Sequence, residues 1–351
     1  MERQQQQPII IQQSSGSGFF AKIGWLGFIV CAGFLIRHYF ERDAYFDSSG
    51  GIQEKFHSGS KRSSTTDKVA IISITGIIGS GDGVVKQQID RVRADEDVKA
   101  VVLRVDSPGG TVTGSDYIYH HLKKLKADKD IPFVVSMGSM AASGGYYVSM
   151  AVGDERDSIF AEPTTLTGSI GVIIPHYDVS GLLDQYAVKN DSISSHPRKQ
   201  MLSMTRAMSA EDRQIIQRQV DEMLERFVGI VKEGRPEFRV DGVQHDGVNL
   251  ATGEVFTAPS ALEFGLVDKI GFIEDAIDRA LELAKLNRKT ARIVKYKSIG
   301  SLFDIPLMQS LGNQSSELDL LFELSTPRAY YLSTTLPPFI SSRRLGLRLA
   351  D

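Results

Sequence analysis

Residues 99–110 read KAVVLRVDSPGG, and residues 131–147 read IPFVVSMGSMAASGGYY. Each stretch opens on a Val-rich apolar run and then breaks into glycine and small polar residues. Runs of that kind suit strands buried on both faces. Between them, residues 114–127 have helical spacing, with Tyr117, Leu122 and Leu125 as the apolar positions. A strand, a helix and a second strand in that order make a βαβ unit with parallel pairing. The fold class expected from this stretch is α/β.

The same alternation continues outward. Residues 69–78 (VAIISITGII) form a β-branched run of strand character, and residues 84–94 carry Val85, Ile89 and Val92 on one helical face. Residues 158–160 and 170–174 suggest further short strands. From Ser209 the pattern changes. Ser209 with Asp212 resembles a capping-box start. Ile215, Ile216, Val220, Met223, Leu224, Phe227, Val228 and Val231 then form one stripe of a long helix that stops at Gly234 and Pro236. Such a stripe belongs to a core or to a contact between protomers. Residues 274–286 predict another helix. Past Arg292 the chain is weakly patterned, and its amphipathic-looking end, FISSRRLGLRLAD, is expected to be a solvated or disordered tail rather than a segment touching a membrane.

The chain has 351 residues, 42% hydrophobic and 24% charged, with a net charge of −3. A near-neutral chain exerts no general pull on nucleic acid. One cysteine, Cys31, excludes an intrachain disulfide framework and a multi-cysteine zinc site.

The amino-terminal region reads differently. Residues 1–18, rich in Gln, Ser and Gly, are expected to form a disordered tail. Residues 19–40 are apolar except for Lys22, Arg37 and His38 near the ends. They would make ~33 Å of helix, enough for one membrane span. Bulky and charged residues follow the apolar run, so an uncleaved anchor is expected rather than a removed signal peptide. Basic residues on both sides (Arg3 and Lys22, Arg37 and Arg42) leave its orientation open. Residues 41–67 are expected to be a linker, 68–292 the soluble domain and 293–351 a carboxy-terminal extension.

Two glycine-rich strand ends offer chemistry. Gly109 and Gly110 could leave backbone N–H groups free to hold an oxyanion, or could make an ordinary turn. Ser143, between Ala142 and Gly144, has the small neighbours that a nucleophile at a strand-to-helix turn needs. The N–H of Gly144, at the helix start, would be a second oxyanion donor. A base is required too. His176 and Lys199 are the candidates, and spacing alone does not choose between them.

Four strings occur in order between about Val69 and Leu286: VLRVDSPGGTVTGSDYIYHHL, PFVVSMGSMAASGGYYVSMA, IFAEPTTLTGSIGVI and ATGEVFTAPSALEFGLVDKIG. This region resembles the signal peptide peptidase A family in its short, membrane-anchored form. That is a serine peptidase family related in fold to Clp protease and the crotonases. The resemblance implies a repeated ββα spiral with a long carboxy-terminal helix, preceded by one transmembrane helix. It implies Ser143 as nucleophile, Lys199 as base, Ser169 as the residue orienting the lysine and Gly110 as an oxyanion donor beside Gly144. The lead-in to the lysine is His-Pro-Arg-Lys, where the family usually has a Gly-Lys-x-Lys-like sequence. The resemblance further implies short apolar peptide substrates such as released signal peptides, and no metal or cofactor. It also implies a homo-oligomeric ring with sites completed across protomers, and a catalytic domain outside the cytoplasmic membrane. A crotonase-like acyl-transfer or hydratase enzyme, a catalytically silent membrane scaffold and a Ser–His peptidase using His176 are the alternatives.

Overall fold

The structure is a computed structural model that describes residues 31–33, 35, 51–62, 66–298 and 330–332. Strands β1 (Ile52–Gly59) and β2 (Lys68–Thr75) precede helix α1 (Val84–Ala94). Then come β3 (Val98–Ser107), β4 (Gly109–Thr111), α2 (Val112–Lys129), β5 (Phe133–Ala142) and the short α3 (Gly144–Ser149). Strands β6 (Ile159–Ala161) and β7 (Leu166–Gly168) lead to α4 (Ser180–Gln185), the long α5 (Ala210–Gly234) and α6 (Phe238–Asp241). A small hairpin of β8 (Gln244–His245) and β9 (Val248–Asn249) is followed by β10 (Val255–Thr257), α7 (Ala258–Glu263), β11 (Lys269–Ile270) and α8 (Ile273–Leu283). Strands β12 (Arg292–Ser298) and β13 (Tyr330–Leu332) close the described chain.

The main sheet runs β1-β12-β2-β3-β5-β6-β11, with β7 beside β5 and β10 beside β7. Every pairing from β12 to β11 is parallel, as is β5 with β7; β1 and β10 pair antiparallel. Alternation along the central strands explains why they read as unbroken apolar runs. Ala70, Ile72, Leu103, Val105, Val135 and Met137 face one layer, with Ile89 of α1 and Leu122 and Leu125 of α2. Val69, Ile71, Ala100, Val102 and Val134 face the other, against Ala276, Ile277, Ala280 and Leu281 of α8. Both faces are covered, so polar residues gain nothing there.

Several boundaries differ from the expected ones. Residues 52–59, assigned to a linker, form β1 on β12, and residues 292–298, assigned mostly to an extension, form β12 beside β2. No strand forms over residues 170–174; Ile173 makes only an isolated bridge to Tyr330. On α2 the buried positions are Ile118, Tyr119, Leu122 and Leu125, while Tyr117 is exposed. The α5 stripe divides: Phe227, Ile230 and Val231 are buried, whereas Ile215, Ile216 and Val220 are only half-buried.

Among the described residues no helix is long and apolar enough to cross a membrane. The span expected over residues 19–40 lies outside them except for residues 31–33 and 35, which are helical; the tail expected over residues 1–18 lies wholly outside. Of the extension expected over residues 293–351, residues 299–329 and 333–351 also lie outside.

Candidate active site

Ser143 stands where β5 turns into α3. Its φ of 53° and ψ of −116° are unusual for a residue with a side chain, as a sharp strand-to-helix turn requires. Its N–H donates to Gly168 O at 2.8 Å, and its own carbonyl accepts from Tyr147 N at 2.8 Å. The side chain caps no helix N–H. Space around the turn is tight. A Cβ on Gly144 would collide with Ser115 Oγ, and one on Gly145 would lie 2.6 Å from Ser107 O. The small residues after Ser143 therefore let α3 settle against β3 and α2.

Two tyrosines anchor that short helix, and the sequence reading missed both. Tyr146 Oη donates to Leu266 O at 2.8 Å, and Tyr147 Oη donates to Asp116 Oδ1 at 2.6 Å. Arg226 Nε donates to the same carboxylate oxygen at 3.1 Å, tying α5 to α2 across the site. Burial pushes both phenols well above their ordinary range, and the Asp116 carboxylate adds to the effect on Tyr147. Both stay protonated and keep donating. The GGYY run carried the signal: two adjacent buried phenols each need an acceptor.

The double glycine lies against this turn. Ser107 Oγ donates to Gly76 O at 2.6 Å and accepts from Gly109 N at 3.1 Å, which fixes the loop entering β4. Gly109 has a φ of +99°. A Cβ there would stand 2.6 Å from Gly144 N and would collide with the carbonyl oxygen of Tyr331. Gly110 is the antiparallel partner of Tyr331 and a parallel bridge partner of Ile78, whose carbonyl leaves no room for a Cβ. So Gly109 and Gly144, the residue after Ser143, close on the carbonyl oxygen of Tyr331, which pairs with Gly110. The sequence offered Gly109 with Gly110 as a possible donor; in the structure it also lets the two loops approach.

Ser169 is adjacent too. Ala142 pairs with Gly168, which brings Ser169 next to Ser143. Its φ is 52°, its N–H donates to Glu254 O at 2.6 Å and its hydroxyl donates to Gly253 O at 3.1 Å.

The two candidate bases are elsewhere on the chain. Residues 171–211 contain no buried side chain. His176 is held within this arm, its Nε2 3.1 Å from Ser203 O. Lys199 lies on a turn of 3-10 helix, Pro197–Gln200, and lines a shallow cavity of about 390 Å³ with Asn190, Ile193, Ser195 and Thr205. Among the described residues neither side chain is hydrogen-bonded to Ser143. No group of His, Cys, Asp and Glu among them could hold a metal ion.

Against known proteins, the profile of peptidase family S49 matches residues 125–287, and that of Clp protease matches residues 61–166. A protein named as a protease in Synechocystis is 38% identical over 226 residues, 64% of this chain and 78% of the relative. Protease 4 of Salmonella typhi is 38% identical over 299 residues, 76% of this chain and 46% of the relative. A protein named as signal peptide peptidase SppA in Enterococcus faecium is 38% identical over 230 residues, 66% of this chain and 62% of the relative. The chain thus spans less than two thirds of the last two. With a serine at a strained turn, a glycine-lined carbonyl position beside it and these relatives, the chain belongs to peptidase family S49, the serine peptidases.

Proposed function

We propose that the protein is a membrane-anchored serine endopeptidase that cleaves short apolar peptides, such as released signal peptides, with a Ser143–Lys199 dyad. The observation that carries this reading is the carbonyl oxygen of Tyr331, held against Gly109 and Gly144 and on the strand partner of Gly110, beside the strained Ser143. Lys199, acting as the base, takes the Ser143 proton as Oγ attacks the peptide carbonyl carbon. The N–H groups of Gly110 and Gly144 hold the oxyanion, and the amine leaves with the proton. A lysine-activated water then hydrolyses the acyl ester and restores the serine. Ser169 orients the lysine once its hydroxyl turns from Gly253 O.

The dyad forms between copies of the chain. Two observations support this: Lys199 rides on an arm without a buried residue, and that arm exposes Leu182, Tyr186, Val188 and Ile193. The half-buried Ile215, Ile216 and Val220 on α5 give a neighbouring copy apolar surface to cover. A ring of a repeated-ββα-spiral domain would follow, anchored by residues 19–40 with the catalytic domain outside the cytoplasmic membrane. The domain built on residues 68–292 needs no metal or cofactor for this chemistry.

The test is hydrolysis of an apolar fluorogenic peptide by the full chain in detergent, beside Ser143→Ala, Lys199→Ala and His176→Ala. The reading predicts that the first two are inert and the third active. Activity in Lys199→Ala with none in His176→Ala would replace the base.

A further inference from the structure

Strand β5 changes neighbours before it reaches Ser143. Residues 135–137 pair with β6, and residues 140–142 pair with β7. On its other side, against β3, Val105 faces Met137 and Ser107 faces Ala141. Asp106 alone therefore stands opposite Gly138, Ser139 and Met140, two residues more than a regular ladder holds. A bulge bends its strand and re-aims the side chains beyond it. Here the bend delivers Ala142 to Gly168 and so sets Ser143 beside Ser169.

The bulge takes backbone groups out of the ladder, and side chains supply partners for them. Asp106 Oδ1 accepts from Met140 N at 3.1 Å and from Ser139 Oγ at 2.6 Å. Thr165 Oγ1, in the turn that joins β6 to β7, donates to Gly138 O at 2.6 Å. Arg104 spans the base of the bulge, donating to Ser136 Oγ at 2.9 Å and pairing with Glu162 of that turn at 2.6 Å. A Cβ on Gly138 would lie 2.9 Å from Asp106 Cγ, so the glycine lets the carboxylate sit over the bulge. The next residue, Ser107, points to the opposite face of β3 and fixes the Gly109 loop through its hydroxyl. Two consecutive residues of one strand thus hold the two halves of the site, Ser107 the glycine loop and Asp106 the strand that ends on Ser143.

Resting on the Ser143 peptidase reading, we infer that Asp106 is a positioning residue for the nucleophile. Its carboxylate locks the bulge at residues 138–140 and so keeps the Ser143 turn in register with Ser169 and the glycines. Without it, Met140 N–H and Ser139 lose their acceptor at the point where β5 passes from β6 to β7, and the strand end is free to shift. A displacement of about 1 Å at a reacting atom can cost on the order of a hundredfold in rate. Asp106→Ala should therefore lower kcat by about ten- to a hundredfold and change KM by less than about threefold, because attack is impaired and peptide binding is not. Asparagine keeps a side-chain oxygen that accepts from both donors, though more weakly than a carboxylate. Asp106→Asn should bring kcat back to within about threefold of the unmodified chain.

The experiment uses the full chain in detergent. It measures kcat and KM on an apolar fluorogenic peptide, the rate at which a fluorophosphonate labels Ser143, and Tm by circular dichroism. The small phosphonate reports the placement of the hydroxyl with no peptide to bind. Asp106→Ala should lose kcat and labelling rate together with KM little changed, and Asp106→Asn should recover both. Gln88→Ala is the control for stability alone. Its buried amide bonds the N–H and the carbonyl of Ser73 on β2, at 2.9 and 3.0 Å, so its loss should lower Tm and leave both rates intact. Should Asp106→Ala fail to fold, Ser139→Ala takes its place, because Ser139 is exposed and its loss opens no buried gap. That variant should lower kcat by about three- to tenfold. The inference is overturned by a folded Asp106→Ala chain with kcat within about threefold of the unmodified one, or by Asp106→Asn no more active than Asp106→Ala. Unchanged kcat in Ser139→Ala, used in its stead, overturns it equally. An unmodified chain that neither cleaves the peptide nor takes the label at Ser143 would instead refute the peptidase reading itself, which keeps the two failures apart.

Discussion

Gly109→Ala tests the geometry at its narrowest point. The change adds one methyl group. At a φ of +99° any side chain is strained, by about 1–2 kcal/mol. For a domain of this size that lowers Tm by about 2–8 °C. The second effect is local. The new Cβ would stand 2.6 Å from Gly144 N and would overlap the position of the Tyr331 carbonyl oxygen. A substrate carbonyl there must move, and loses its alignment with the backbone donors. Losing one oxyanion donor typically costs about 10²–10³ in kcat, so a fall of at least that order is expected. Gly153→Ala is the matched control. Its φ is +74°, yet its Cβ would meet only Lys126 Nζ, at 3.4 Å. It should lower Tm by a similar amount and leave peptide hydrolysis intact. The assay is kcat/KM on an apolar fluorogenic peptide, with Tm from circular dichroism for each variant. A folded Gly109→Ala protein with kcat/KM within about threefold of the unmodified chain would refute the reasoning.

Two further outcomes follow from the same structure. Inactive Ser143→Ala and Lys199→Ala chains, unfolded together and refolded as a mixture, should regain activity if one copy's lysine serves another copy's serine. Random assembly would restore about a quarter of the sites, and no recovery would argue for a dyad within one chain. His121 supplies a pH dependence. Burial, followed by the nearby Lys86, holds its imidazole below the ordinary histidine range, and its Nδ1 is buried without a partner. A group depressed in this way contributes stability that is complete above its unfolded pKa, about 6.5, and is lost as pH falls toward the folded value. His121→Phe should flatten the acid side of a Tm-against-pH curve; an unchanged slope would assign that side to other groups.

What the sequence disclosed followed physical signal strength. The central strands, β2, β3 and β5, are apolar on both faces, so their β-branched runs could be read directly. The turn at Ser143 was legible because only small residues fit beneath it, and Gly110, Gly144 and Ser169 gather beside it. Strand β1 was hidden for the opposite reason. IQEKFHSG is half-exposed and polar along an edge, and β12, which pairs with it, lies more than 200 residues away. β13 is three residues long, and its partner is a glycine loop without a pattern of its own. Tyr146 and Tyr147 were missed because their acceptors, Leu266 O and Asp116, come within reach only in the fold. Spacing could not choose between Lys199 and His176, because both lie on residues 171–211, an arm without a buried side chain whose placement separations along the chain do not encode.

The central claim is that Ser143 is the nucleophile, and an acyl-enzyme trap addresses it without any assumption about the base. The full chain would be mixed with an activated ester of an apolar peptide, quenched in acid during turnover and digested for mass spectrometry. The account predicts the acyl mass on the peptide that contains Ser143, and its absence from Ser143→Ala. An acyl group on another residue, or undiminished hydrolysis by Ser143→Ala, would contradict it.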